Sequence, residues 1–184
     1  VPVRIFYQVG AKRFRKIPDE HDLAVIDRIN SMQIANWYPT TELPEGYNTQ
    51  QPKLSHGVTH LHHFYTKRNL LVLGTLLQKI INNGVLDAKF VFTASLQRAN
   101  KTNRFRFRGT GGLSGTLYIP SLVFERNVFQ LFNSKLRDIA QAKQHIFKRS
   151  SAIATSSTTM LGIKNDSVDY IFTDPPFGQN INYS

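Results

Sequence analysis

No cysteine occurs among the 184 residues. That excludes disulfides, cysteine-ligated zinc and thiol nucleophiles together, and it agrees with a reducing compartment. No apolar run approaches the roughly 18 residues of a membrane-spanning helix, and no basic, apolar and small-residue leader opens the chain. These absences lead us to expect a cytoplasmic protein with no membrane partner. Acids are scarce as well: 12 Asp plus Glu stand against 23 Lys plus Arg, for a formal net charge of +11. A surplus of that size attracts phosphate-bearing partners by counterion release, which names a class of partner and no reaction. Apolar residues make up 41% and aromatics 11%, enough for a core and far from the composition of disordered chains. A start at Val1 rather than Met, and an end at Ser184 close behind a Pro-Pro motif, lead us to expect a piece of a longer protein.

Local patterning predicts the following order. Val1 to Val9 alternates as a strand and leads into a basic cluster, Lys12, Arg13, Arg15 and Lys16, expected to be a solvated turn. Leu23, Val25, Ile26 and Ile29 fit a short amphipathic helix begun near Pro18. Met32 to Gly57 holds Pro39, Pro44, Gly46 and Pro52 among polar residues and is expected to be a long extended connection laid over a surface. Thr66 is a good N-cap for a buried helix that carries Leu70 to Ile81 and closes at Asn83-Gly84. Leu86 to Ala99 is ambiguous, since Phe90, Ala94 and Gln97 suit a helix and Phe90 to Thr93 a strand, and the helix is favoured; Thr116 to Ile119 is expected as a strand halted by Pro120, and Asn127 to Lys148 as a long helix. Ala152 to Ala154 is a candidate strand, Ser156 to Ile163 a turn or short helix, and Lys164 to Ser167 a polar turn. Val168 to Phe172 is a short β-rich run that stops at Thr173-Asp174-Pro175-Pro176-Phe177-Gly178.

A rigid loop at the carboxyl end of a strand is where open α/β sheets place their sites. Two prolines fix φ and remove two donors, so this loop offers carbonyl acceptors together with the Asp174 carboxylate. An exocyclic amine carries two hydrogens. One suits Asp174 and the other the Pro175 carbonyl, which leaves the nitrogen lone pair directed at an electrophile, while Phe177 offers a face for stacking a base.

VDYIFTDPPFG resembles the catalytic motif, Asp/Asn/Ser-Pro-Pro-aromatic, of the S-adenosylmethionine-dependent amino-methyltransferases. His63 to Leu71, Gly115 to Ser121 and Asp174 to Ser184 look like stretches of large bacterial adenine-specific DNA methylases, so the resemblance covers residues 17–184 patchily. It implies N6-adenine methyl transfer from S-adenosylmethionine to DNA with a flipped base, in which Asp174, Pro175 and Pro176 hold the amine and Phe177 stacks. It also implies an α/β fold: a partial Rossmann-like methyltransferase sheet with flanking helices, preceded by an irregular extended N-terminal segment. On that reading residues 1–57 form the N-terminal strand, short helix and connection, and 58–184 the partial methyltransferase domain. Phe64, Tyr65 and Thr66 resemble the Phe-Tyr-Thr-Pro element beside the methionine end of the cofactor in related enzymes, with Lys67 in place of proline.

Some expected parts are not recognisable. A Gly-rich turn after a first strand is not found; Gly109-Thr110-Gly111-Gly112 follows a basic run and reads better as a surface loop. The chain alone is therefore expected to bind S-adenosylmethionine weakly, and the remainder of the methyltransferase or a second subunit is an implied partner. His56, His60, His62 and His63 lack a nearby carboxylate and fit no metal spacing, so no metal is expected. No acid lies between Asp87 and Glu125, where Arg98, Lys101, Arg104, Arg106 and Arg108 form a candidate DNA phosphate stripe, weighed evenly against a solvated edge strand. Two other functions stay open: guanine-N2 methylation of transfer RNA by the same loop, and a catalytically silent nucleic-acid-binding or assembly piece.

Overall fold

The computed structural model describes residues 2–107, 112, 117–145, 155, 157 and 159–173. Two compact units divide the chain, Val1–Ile146 and Phe147–Ser184. Among the described residues the fold is mixed α/β, with five α-helices and one two-stranded antiparallel sheet, all in the first unit. The candidate strand at Ala152 to Ala154 and the Asp174 to Phe177 loop lie outside the described residues.

The sheet is a hairpin of β1 (Ile5–Val9) and β2 (Lys12–Lys16), in register from Ile5 opposite Lys16 to Val9 opposite Lys12. Its basic cluster is thus the second strand and not the expected solvated turn. The turn is Gly10-Ala11 alone. Gly10 has φ +57°, and a glycine with positive φ at the first central position is what a type II′ hairpin requires. Helix α1 (Glu20–Ser31) begins after Asp19 rather than at Pro18, because Asp19 caps it reciprocally with Asp22 in a capping box.

The expected extended connection is only partly extended. Residues Tyr47–His56 form helix α2, with Pro52 inside it and Gly57 as its left-handed C-cap. Pro52 is fully buried there, and the Gln51 amide holds the backbone of Ile119 at both ends, donating to its carbonyl (3.1 Å) and accepting from its N–H (3.2 Å). Burial and this clamp override Pro52, which reads locally as a breaker, while Gly57 ends the helix. The part before α2 does lie over a surface: Asn36 donates to Thr75 (3.0 Å), and the Asn36-Trp37 backbone passes over Gly74 so closely that a Cβ there would stand 3.3 Å from the Asn36 Cβ.

Helices α3 (Lys67–Asn83), α4 (Leu86–Leu96) and α5 (Val128–His145) form as expected and enclose the main core: Leu73, Ile80, Phe92, Ala99, Val128 and Leu131. A second core joins Leu43, Val58, Phe64 and Ile119, and Tyr65 packs against both. No strand forms over 117–119; Leu117 takes φ +58°, and the Gln51 side chain replaces a ladder partner for Ile119. Arg108 lies outside the described residues; among the described ones, a single antiparallel bridge, Arg104 to Val123, stands in place of the candidate edge strand.

In the second unit the Lys164 to Ser167 turn is present, closed by the Ser167 hydroxyl on the Lys164 carbonyl at 2.6 Å. Val168 to Phe172 is not a strand, and Tyr170, Ile171 and Phe172 are exposed. A parallel, Rossmann-like sheet is not formed among the described residues. No helix among them is long and apolar enough to cross a membrane.

Candidate functional site

The N-terminus of α3 carries Phe64, Tyr65 and Thr66, the residues assigned by resemblance to the cofactor. Leu61–Phe64 is a single 3-10 turn that delivers Phe64 into the second core, where it is buried. Burial pushes the Tyr65 phenol up, opposed by a hydrogen bond with Asn100. Thr66 caps the helix, accepting from the Asn69 N–H at 3.2 Å, and its hydroxyl donates to Glu125 at 2.7 Å. Arg68 also donates to Glu125, at 3.0 Å from both Nε and the terminal nitrogen. A carboxylate therefore already occupies the electropositive end of α3. The methionine carboxylate of a cofactor would meet Glu125 there, so Phe64, Tyr65 and Thr66 do not fit that group.

The histidines gather just before this helix end. His60, His62 and His63 face one another with ring centroids 4.4 to 5.5 Å apart, and Tyr38 meets His62 edge-on at 5.4 Å. The Thr59 N–H donates to His63 Nδ1 (3.2 Å), and the Thr59 hydroxyl contacts His60 Nδ1 (2.9 Å). His62 Nδ1 is buried with no partner, and burial, then His63 and His60, pull its pKa below the usual 6.5. No group of three His, Asp or Glu among the described residues is arranged to hold a metal. The cluster is a packed junction of imidazoles.

The candidate phosphate stripe is not one surface. Lys101 is half-buried, and its ammonium donates to the His63 carbonyl at 2.8 Å, with burial pulling its pKa down and Glu125 opposing that. It serves the junction. Arg98 is half-buried and Arg108 lies outside the described residues, whereas Arg104 and Arg106 are exposed. Phe105, between them, packs on Phe6 of β1 (5.7 Å) and Phe124 (6.2 Å), and Arg126 lies over the Phe124 ring at 5.3 Å.

Sequence reasoning missed the second strand of the hairpin, whose first strand packs Phe6 on Phe105, the residue between Arg104 and Arg106. The signal for it was Gly10 directly after the β-rich run Ile5 to Val9, with a second run of equal length, Lys12 to Lys16, that centres on Phe14. Asp174, Pro175, Pro176 and Phe177 follow the exposed 168–173 segment and fall outside the described residues. No protein-family model, no curated protein and no solved structure matches the chain.

Proposed function

We propose that the chain is part of an S-adenosylmethionine-dependent methyltransferase that acts on the N6 amine of adenine in DNA. The observation that carries this reading is the sequence Val168 to Gly178, an apolar run ended by Thr-Asp-Pro-Pro-Phe-Gly. In it Asp174 and the Pro175 carbonyl accept the two amine hydrogens, Pro176 stiffens the loop, and Phe177 stacks on the flipped base. The partial Rossmann-like sheet belongs to this reading and not to the described structure. Since Glu125 fills the α3 N-terminus, the methyl donor's site is sought outside Phe64, Tyr65 and Thr66. The +11 net charge supports a polyanionic substrate.

The test is methyl transfer from labelled S-adenosylmethionine to DNA by the chain together with whatever subunit completes its cofactor site, followed by identification of the modified base. Label in N6-methyladenine, abolished by Asp174→Ala at unchanged DNA affinity, is the expected result. Phe177→Tyr should retain most activity, and Phe177→Ala should weaken base capture by about 1–3 kcal/mol. Label on guanine N2 of transfer RNA overturns the substrate assignment, and full activity of Asp174→Ala overturns the role of the loop.

A further inference from the structure

The first 18 residues contain five cations, Arg4, Lys12, Arg13, Arg15 and Lys16, and no acid. Folding sorts these charges. Lys16 is neutralised by Asp19 (2.9 Å) and Asp22 (2.7 Å) at the start of α1. Arg4, Lys12, Arg13 and Arg15 are exposed and, among the described residues, have no carboxylate within salt-bridge distance; the same holds for Arg104 and Arg106. Directly opposed residues of an antiparallel pair share a face, so Phe6 with Arg15 and Gln8 with Arg13 project to one side of the hairpin. The other side carries Tyr7 stacked on Phe14, with centroids 5.4 Å apart. Phe6, on the arginine side, packs on Phe105 and Phe124. Arg104 and Arg106 flank Phe105 in the chain, so the backbone that carries them runs beside the side of the hairpin that bears Phe6 and Arg15.

We infer that Arg13 and Arg15 of the hairpin, with Arg104 and Arg106, form a single face that binds the phosphates of duplex DNA. Arg13 and Arg15 lie on the same side of one strand, about 6.8 Å apart along it. That separation is the axial rise of about two nucleotides in one DNA strand. Arginine suits the task, because its planar fork pairs with two phosphate oxygens at once. Four exposed guanidiniums that, among the described residues, form no ion pair are free to pair with the phosphates of a polyanion. The aromatic cluster of Phe6, Phe105 and Phe124 gives the face its stiffness. A loose loop of arginines would have to be ordered on binding.

This inference rests on the reading of DNA as partner, and one measurement separates the failure of the two. Fluorescence anisotropy of a labelled duplex against the full chain, over a series of salt concentrations, reads affinity and salt slope. Arg13→Ala/Arg15→Ala should weaken binding at low salt by about tenfold or more and flatten the slope by about 0.9 for each phosphate that is no longer neutralised. Adding Arg104→Ala/Arg106→Ala should flatten it further by a similar amount. Arg13→Lys/Arg15→Lys should keep most of the slope, and the melting temperature of every variant should match the parent. Duplex binding with an unchanged slope in Arg13→Ala/Arg15→Ala overturns the inference and leaves DNA as partner. No duplex binding by the parent chain at low salt overturns both. Weakened binding of Arg13→Ala/Arg15→Ala to vesicles of anionic phospholipid, with duplex binding intact, assigns the face to lipid and overturns the inference.

Discussion

At the scale of single residues, Thr66 does two things at once, capping α3 and donating to Glu125. Thr66→Ala should cost about 1 kcal/mol for the cap, and more if the half-buried Glu125 keeps only Arg68, while Thr66→Ser should restore most of it; urea midpoints read both. His62 ties stability to pH. Its pKa is held below 6.5 mainly by burial, so the unfolded chain takes up the proton more readily than the folded one. The contribution is present in full above 6.5 and is lost as the pH falls through the lowered value. His60 and His63 face His62, and Lys101 binds the adjoining His63 carbonyl, so none of these neighbours would welcome a further positive charge. The melting temperature should fall between pH 7.5 and 5.5, and His62→Phe, which keeps an aromatic edge for Tyr38, should reduce that fall. Asp19 acts lower on the scale. The Lys16 ammonium, then the Asp22 N–H, hold its carboxyl down at about 2, so its cap is retained above the usual carboxylate range and fails as the pH falls toward that value.

At the scale of elements, α3 and α5 were legible because each is a long periodic segment with its own start chemistry, Thr66 and Asn127, and Gly84 stops α3; α4, whose start at Val85 has no side-chain cap, is favoured as a helix only over a strand reading of Phe90 to Thr93. Gly84 closes α3 at φ +63°, and Gly84→Ala should cost about 1–2 kcal/mol in chemical denaturation. Helix α2 was not legible, since Pro52 and Gly57 read as loop residues until Pro52 is buried and Gln51 has reached Ile119, 68 positions away. Gln51→Ala leaves the Ile119 N–H and carbonyl without their partner, and should cost about 1–3 kcal/mol by the same measurement. Of the strand expected over Thr116 to Ile119, the described residues 117–119 form none for the matching reason, because the Gln51 side chain took the hydrogen bonds of Ile119 that a neighbouring strand would have made. Val168 to Phe172 has β-forming residues, yet a strand is made by its partner, and none pairs with it among the described residues.

At the scale of the whole molecule, the +11 charge sets two expectations. Self-repulsion should make the melting temperature rise with moderate salt, while affinity for DNA falls with the same salt; opposite slopes in one buffer series check this. Calorimetric titration with S-adenosylmethionine should show weak binding or none by the chain alone, and a low micromolar dissociation constant would mean that the donor site had been misplaced.

By itself the sequence determined the phosphate-seeking charge, the absence of thiol chemistry, the two periodic helices α3 and α5 and the local chemistry available to Asp174, Pro175 and Phe177. Each of these depends on composition, or on residues within a few positions of one another. Only the tertiary structure decided which cations are free to act. Lys16 is taken up by Asp19 and Asp22, and Lys101 by a backbone carbonyl, whereas Arg13, Arg15, Arg104 and Arg106 are exposed and, among the described residues, make no ion pair. It also decided that the end of α3 holds Glu125, 59 positions from Thr66. A charge is visible in the chain, but its partner is set by which distant segments fold against it.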